Sequence, residues 1–168
     1  GELAVVIGKE CKNVSRDTAL DYVSGYTIAN DVSARDWVPE VRSAETPFDG
    51  ILAWERNIMG KNLPGFTPCG PVITTRDEIS DPHDLQLTLR LNGEVMQSTK
   101  TDDLIFKLPE LISYFSKWYC FQPGDVVTTG SPAGVGFGRD PQVFMKAGDV
   151  VNVEIEGIGS LNNPVGEA

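Results

Sequence analysis

Residues 85–97 constrain the fold of this chain more than any other segment. Leucine occupies every second position from Leu85 to Leu91, and polar residues occupy the positions between. Because the side chains of a β-strand alternate between its two faces, this pattern predicts a strand with one buried and one solvated face. The pair Asn92-Gly93 follows at once, and it is the commonest signal for a type I′ hairpin turn. We therefore expect an antiparallel hairpin, with residues 94–97 as the returning strand.

Most of the remaining pattern also predicts strands, with few helices. Short apolar and β-branched segments predict strands at residues 3–7, 26–34, 71–75, 125–129 and 149–155. One helix is predicted over residues 15–23, from a capping Ser15 to a stop at Gly25, and another over residues 108–118, where apolar residues have helical spacing. About eight strands, two or three helices and no linker predict a β-rich α+β fold, in one domain over residues 1–168.

The segment from residue 36 to residue 70 interrupts this regularity. Proline and glycine recur through it, whereas Trp37, Phe48, Trp54 and Phe66 make it too aromatic for a disordered linker. We predict a long loop with a helical piece near residues 49–56. Loops of this length in compact domains are usually functional.

The charge and cysteine content exclude several classes of protein. The chain has 168 residues, with 14 Lys+Arg against 24 Asp+Glu and a formal net charge of −10. A nucleic-acid-binding surface needs clustered cations and is not expected. A membrane span is not expected either, since no apolar run approaches the roughly 20 residues that cross a bilayer. Three cysteines without a Cys-x-x-Cys pair indicate neither a disulfide framework nor a zinc–thiolate site, and a reducing cytoplasm fits best.

The single histidine, His83, lies in a proline-containing turn between acidic residues. We interpret it as a surface turn residue rather than a catalytic base. A lone histidine also argues against catalytic zinc, which usually takes two or three histidine ligands.

Oxygen ligands remain for metal chemistry, since carboxylates suit Mg²⁺, Mn²⁺ or Ca²⁺. Glu2 lies at the start of an apolar strand, and Asp31 lies within the predicted strand 26–34. A carboxylate on a buried strand is costly unless it is paired or bound to a metal. From residue type alone, a salt bridge from Asp31 to Arg35, or a turn-capping role, is favoured over metal binding.

Two further features also have alternative interpretations. The glycine-rich segment 128–138 offers backbone N–H groups and hydroxyls to a carboxylate, but a wide structural turn explains it about equally well. Its glycine spacing does not match a dinucleotide-binding or phosphate-binding loop. Lys61, which lies between Gly60 and a Pro-Gly turn, would ordinarily be a solvated loop lysine.

Five segments of the chain carry long and unusual motifs. They are residues 25–36 (GYTIANDVSARD), 61–71 (KNLPGFTPCGP), 91–94 (LNGE), 123–136 (PGDVVTTGSPAGVG) and 148–159 (GDVVNVEIEGIG). In this order, and over nearly the whole chain, they closely resemble the fumarylacetoacetate hydrolase family. The resemblance implies a mixed β-sandwich roll that carries a divalent-metal site, with Mg²⁺, Mn²⁺ or Ca²⁺ as the metal.

The resemblance also implies roles for individual residues. The family's metal ligands are a Glu-x-Glu pair and a later Asp, which Glu2 (as the second Glu) and Asp31 match. The first Glu would fall just before Gly1, so we expect a chain truncated at its N-terminus, with the family's His-Glu lid also outside it. Lys61 matches the active-site lysine and Ser131 matches a hydroxyl that binds the substrate carboxylate. Arg35 matches an arginine that orders the site or touches substrate.

From this resemblance we expect a metal-dependent enzyme that acts on small 2-oxo or β-diketo acids. Hydrolytic C–C cleavage of an acylpyruvate or a fumarylacetoacetate-like compound is the favoured reaction. Isomerisation or decarboxylation of a 2-oxo dicarboxylic acid on the same site, or a non-catalytic binding domain, are the alternatives. A cytoplasmic homodimer that pairs through its β-rich face is also expected.

Overall fold

Eight β-strands form two antiparallel four-stranded sheets in the computed structural model, which describes residues 1–38 and 43–167. The strands are β1 (Glu2–Ile7), β2 (Val23–Ala29), β3 (Cys69–Thr75), β4 (Gln86–Leu91), β5 (Glu94–Lys100), β6 (Val126–Thr128), β7 (Val150–Ile155) and β8 (Gly159–Pro164). The α-helices are α1 (Pro47–Met59) and α2 (Leu108–Phe115). The predicted β-rich α+β class is confirmed.

The chain divides into two compact units, which are described separately. The first unit contains Gly1–Ala29 and Cys69–Ala168, and holds both sheets and α2; the second contains Asn30–Pro68 and holds α1. The assignment of residues 1–168 to one catalytic domain stays a prediction. In the part of the chain that the structure describes, no helix is long and apolar enough to cross a membrane.

The two sheets of the first unit share one apolar core. One sheet has the strand order β3-β2-β1-β6 and the other the order β5-β4-β7-β8. Every residue of β1 is buried, because this strand lies in the interior of its sheet. Leu3 and Val5 from β1 belong to the same buried cluster as Leu87 from β4 and Val153 from β7. Strand β1 therefore lies at the buried centre of the first sheet, and Glu2 is its first residue.

The predicted hairpin is confirmed and longer than expected. Asn92 and Gly93 have φ angles of +52° and +86°, the left-handed values that a type I′ turn requires. The returning strand β5 runs to Lys100 rather than to residue 97.

The predictions around residues 15–34 are partly wrong. The expected helix is a 3₁₀ helix, Arg16–Tyr22, and the Ser15 side chain makes no capping hydrogen bond. Gly25 does not stop a helix: it lies inside β2, where a Cβ atom would come within 2.4 Å of the Thr74 carbonyl oxygen on β3. Close approach of the two strands explains this glycine. The strand ends at Ala29, so residues 30–34 lie beyond it.

Helix α1 is longer than the piece predicted near residues 49–56. Pro47 occupies its first turn, and Thr46 and Asp49 form a capping box in which each side chain bonds the other residue's backbone N–H. The capping box lies upstream of the apolar pattern, which is why the pattern alone placed the start too late. Part of the surrounding loop, residues 39–42, lies outside the described residues.

Helix α2 ends at Phe115, three residues before its predicted end. Ser116, which is fully buried, donates its hydroxyl to the Ser113 carbonyl and accepts from the Val14 backbone N–H. The Ser116 carbonyl accepts from the Asn13 N–H. These contacts with an earlier segment of the chain replace the next helical turn.

His83 lies in a turn, as predicted, but it is not a surface residue. Its side chain is only 20% exposed, and Nε2 accepts a hydrogen bond from the backbone N–H of Leu108 at 3.1 Å. Burial lowers the pKa of His83, although the nearby Asp81 carboxylate opposes this effect. The histidine therefore caps α2 as a neutral acceptor.

Candidate functional site

In the first unit, a loop binds the buried carboxylate of Glu2. Glu2 is 2% exposed and pairs with Ala29 at the start of β1. After β6 the chain continues alongside β1, and the Thr129 hydroxyl donates to the Leu3 carbonyl at 2.9 Å. The Gly130 N–H then donates to Oε2 of Glu2 at 2.8 Å, and the Ser131 hydroxyl donates to Oε1 at 2.7 Å.

Glycine at position 130 allows this arrangement. Gly130 has a φ angle of +95°, a conformation that residues with a side chain rarely adopt. This turn aims two successive donors at the two oxygens of one carboxylate. Part of the glycine-rich segment is therefore a carboxylate-binding loop, but the carboxylate it binds in this structure belongs to the protein.

The charge of Glu2 has only neutral partners among the described residues. No described lysine or arginine forms a salt bridge with it. Burying a carboxylate is costly, and two hydrogen bonds offset that cost only in part. Each oxygen has further lone pairs, because a carboxylate accepts at about four positions. Glu2 is thus chemically suited to a hard cation.

In the second unit, Asp31 and Lys61 form an ion pair. Their side chains are 17% and 32% exposed, so solvent screens the pair less than it would on an open surface. Gly60 separates Lys61 from the end of α1, and the Lys61 carbonyl accepts from the Thr67 hydroxyl at 3.0 Å. The Ala34 N–H bonds the Gly60 carbonyl at 3.0 Å and joins the two segments that carry the pair.

These contacts correct two expectations about the pair. Asp31 is not inside a strand, because β2 ends two residues earlier. Lys61 is not a freely solvated loop lysine, because Asp31 neutralises it. Sequence reasoning had no local signal for the contact, since the two residues are 30 positions apart.

Arg35 lies in the same unit and bonds helix α1. Its Nη1 donates to Oδ1 of Asn57 at 3.0 Å. The structure thus brings Asp31 together with Lys61, Arg35 together with Asn57, and Glu2 together with Ser131. Glu2 and Asp31, the two expected metal ligands, belong to different units.

The donor set has the chemistry that a hard divalent cation requires. Mg²⁺ is commonly bound by one or two carboxylates, and water and substrate oxygens complete its coordination. Within the described residues there is no group of three or more His, Cys, Asp or Glu that could hold a metal. A metal bound by this chain would therefore have few protein ligands. Of Glu2 and Asp31, Glu2 is the one whose carboxylate is already oriented, by hydrogen bonds from Gly130 and Ser131.

The first unit also contains a cavity of about 390 Å³ beside the loop that binds Glu2. Thr129, Ser131 and Pro132 line one side, and the segment that follows β5 lines another, with Ile105 and Phe106 among its residues. Ile105 is 89% exposed. Sequence reasoning missed this segment, although three consecutive apolar residues, Leu104-Ile105-Phe106, follow the acidic Asp102-Asp103.

The three cysteines are free thiols, with Cys11 buried and Cys69 and Cys120 exposed. Burial raises the pKa of both Cys11 and Cys69. Neither thiol is activated as a nucleophile by its surroundings.

Comparison with known proteins places these features in a family. The sequence profile described as fumarylacetoacetate (FAA) hydrolase C-terminal matches residues 1–166. A Xenopus laevis protein named mitochondrial oxaloacetate tautomerase is 46% identical over 164 residues, which cover 98% of this chain and 48% of that protein. The chain spans about half the length of the curated relatives it matches.

Solved structures agree with the sequence matches. A fumarylacetoacetate hydrolase from Exiguobacterium antarcticum has a TM-score of 0.86 at 40% identity, over 99% of this chain and 55% of that one. A 2-hydroxyhepta-2,4-diene-1,7-dioate isomerase from Mycobacterium marinum has a TM-score of 0.80 at 38% identity, over 98% of this chain and 56% of that one.

Proposed function

The chain belongs to the fumarylacetoacetate hydrolase family, and from that premise we propose that it acts in the keto–enol tautomerisation of a small 2-oxo dicarboxylic acid, with oxaloacetate as the first substrate to test. The observation that carries the proposal is the 46% identity, over almost the whole chain, to a protein named oxaloacetate tautomerase. The ion pair of Asp31 with Lys61 also supports it, because it fixes an ammonium group that could stabilise the enolate formed during tautomerisation.

This proposal changes the order of the reactions expected from the sequence. The sequence alone favours hydrolytic C–C cleavage, with isomerisation as an alternative. Tautomerisation needs only proton transfer between a carbon and the keto oxygen, whereas hydrolysis also needs a group that activates water. The 46% identity to a protein named a tautomerase therefore decides the order. Hydrolysis remains the second candidate, because the structure with a TM-score of 0.86 is named a hydrolase.

Lys61 is the residue we propose as catalytic. Tautomerisation breaks a C–H bond next to the keto group and forms an O–H bond, or the reverse, and an enolate oxygen develops charge on the way. The Nζ ammonium of Lys61 would stabilise this charge, since a cation that is already fixed in place reorganises little during the reaction. The ion pair with Asp31 fixes the position of Lys61.

We propose that the remaining site residues bind substrate and metal. Arg35 would order the second unit through Asn57 and contact a substrate carboxylate. The family resemblance supports Glu2 and Asp31, each within its own unit, as proposed ligands of a divalent cation, Mg²⁺ or alternatively Mn²⁺ or Ca²⁺. Such a cation, when bound, acts as a Lewis acid on the keto oxygen. Ser131 contacts Glu2.

A substrate comparison tests the proposed function. The purified protein is given enol oxaloacetate, whose ultraviolet absorbance falls on ketonisation, and in parallel an acylpyruvate, whose cleavage products are separated chromatographically. We expect oxaloacetate ketonisation well above the buffer rate and no cleavage. Cleavage of the acylpyruvate alone would establish the hydrolase instead. Turnover of neither would favour a non-catalytic binding domain.

The subcellular location stays a prediction. The free thiols fit a reducing compartment, which was the basis for expecting the cytoplasm. The Xenopus laevis relative is named a mitochondrial protein, so a mitochondrial location of this chain is the alternative that we propose to test by fractionation.

A further inference from the structure

Ser131 has one hydroxyl proton, and in this structure that proton bonds to Glu2. The Oγ–Oε1 distance is 2.7 Å, which is typical of a hydroxyl that donates to a carboxylate. The family resemblance assigns the same proton to a substrate carboxylate. Both carboxylates can only accept, so one proton cannot serve both at once.

The neighbouring residue favours the bond to Glu2. Gly130 donates to Oε2 from the preceding position of the chain, so the loop holds one oxygen with each of two successive residues. Two donors on two oxygens fix the plane of the carboxylate, whereas one donor would leave it free to rotate. Glu2 itself is buried at the start of β1, where a misplaced carboxylate could not be solvated, whereas Gly130 and Ser131 are exposed.

We propose that Ser131 is a positioning residue for Glu2 and does not give its proton to substrate. It sets the orientation in which Glu2 presents its remaining lone pairs to a divalent cation. The inference rests on the proposed function only in that Glu2 holds such a cation. Partners that orient a metal ligand typically change metal affinity by about 10- to 100-fold when they are removed.

The test measures Mn²⁺ affinity directly, from the electron paramagnetic resonance signal of the free ion. Ser131→Ala removes the donor, and Ser131→Cys keeps the shape of the side chain, slightly enlarged, with a much poorer donor. We expect both variants to weaken Mn²⁺ binding at least ~10-fold, and Ser131→Thr to restore it. Ser80→Ala, at an exposed serine between β3 and β4, is the matched control and should bind Mn²⁺ as the wild type does.

A second measurement separates positioning from substrate binding. At saturating Mn²⁺, Ser131→Ala should leave the KM for the 2-oxo acid unchanged, because no substrate contact is lost. Wild-type Mn²⁺ affinity together with a KM raised tenfold would show that the hydroxyl binds substrate and would overturn the proposal.

The outcomes also separate this inference from the proposed function. If the wild type binds Mn²⁺ but turns over no 2-oxo acid, the proposed function fails, and the loss of affinity in Ser131→Ala still supports the positioning role. If the wild type does not bind Mn²⁺ at all, the positioning role is overturned, whatever the activity.

Discussion

His83 and Leu108 are 25 positions apart, and the imidazole Nε2 of the first accepts a hydrogen bond from the backbone N–H of the second. Leu108 begins α2, so the bond satisfies one of the N–H groups that have no partner inside the helix. The preceding backbone N–H group, that of Lys107, donates to the Glu110 carboxylate at 3.1 Å. The start of α2 thus depends on two side-chain acceptors, and one of them is a histidine, a residue whose ordinary pKa lies near neutral pH.

Acidification should therefore destabilise the protein through His83. Burial lowers the pKa of His83 in the folded state below the ordinary value of about 6.5. The folded state then binds fewer protons than the unfolded state, so stability is lost as the pH falls through that ordinary value. We expect the Tm to fall by about 2–4 °C between pH 7.5 and pH 5.5, as for a loss of about 1 kcal/mol.

The His83→Ala variant is the check on this assignment. It should melt at a lower temperature than the wild type at pH 7.5, because the cap is missing, and its Tm should change less between the two pH values. Parallel curves for the two proteins would show that another group causes the pH dependence.

Millimolar Mg²⁺ or Mn²⁺ should raise the Tm. A ligand that binds only the folded state stabilises it by about 2.7 kcal/mol at a concentration 100 times its Kd. Asp31→Ala should abolish the shift, whereas Asp17→Ala, at an exposed aspartate of the 3₁₀ helix, should keep it. A wild-type Tm that does not respond to either metal would refute the metal site.

Lys61→Met should lower turnover of a 2-oxo acid by at least ~100-fold, because loss of a fixed cation near a developing enolate typically costs about 3 kcal/mol of barrier. Metal affinity should stay the same or rise, since the variant removes a cation from Asp31. Steady-state kinetics and metal titration measure the two effects. Lys9→Met, at an exposed lysine, is the control. Near-wild-type turnover in Lys61→Met would remove Lys61 from the mechanism.

Gly25→Ala should destabilise the fold by about 1–3 kcal/mol, because its Cβ atom would overlap the Thr74 carbonyl oxygen and force β2 and β3 apart. Gly50→Ala is the control for the effect of replacing a glycine by alanine. Gly50 lies in α1 with no atom within 4 Å of the added Cβ, so alanine should be neutral or stabilising there. Urea unfolding compares the two, and equal stabilities would contradict the steric argument.

The protein should be a homodimer in solution. Strand β3 is an edge strand, and Val72 and Ile73 on it are more than half exposed. Exposed apolar edges are sites of chain-to-chain pairing. Light scattering at micromolar concentration should give twice the chain mass, and Ile73→Lys should give the monomer mass. A wild type that is monomeric at this concentration would contradict the prediction.

The parts of the fold that were predictable from sequence are those with local causes. Asn92-Gly93 and the alternating leucines specify a hairpin without reference to any distant residue, and the structure contains it. Gly25 was misinterpreted for the opposite reason. Its cause is the Thr74 carbonyl on another strand, and nothing within a few residues of position 25 indicates that contact.

The candidate site divides in the same way. The resemblance identified Glu2, Asp31, Arg35, Lys61 and Ser131, and their roles stay predictions. Their partners were not predictable, because the Asp31–Lys61 and Glu2–Ser131 contacts join residues 30 and 129 positions apart. The role of His83 was missed because its polar neighbours in sequence suggested solvent, whereas a distant helix start uses it.

The hydrogen bond from the Ala34 N–H to the Gly60 carbonyl has a consequence for how such a protein can diverge. It closes the intervening residues into a loop whose two ends adjoin Asp31 and Lys61. Doubling the length of a flexible loop costs only about 0.6 kcal/mol of closure entropy. Changes of length between Arg35 and Pro47, where α1 begins, therefore cost little closure entropy as long as this hydrogen bond joins the two ends, so the ion pair can keep its geometry while that connection diverges.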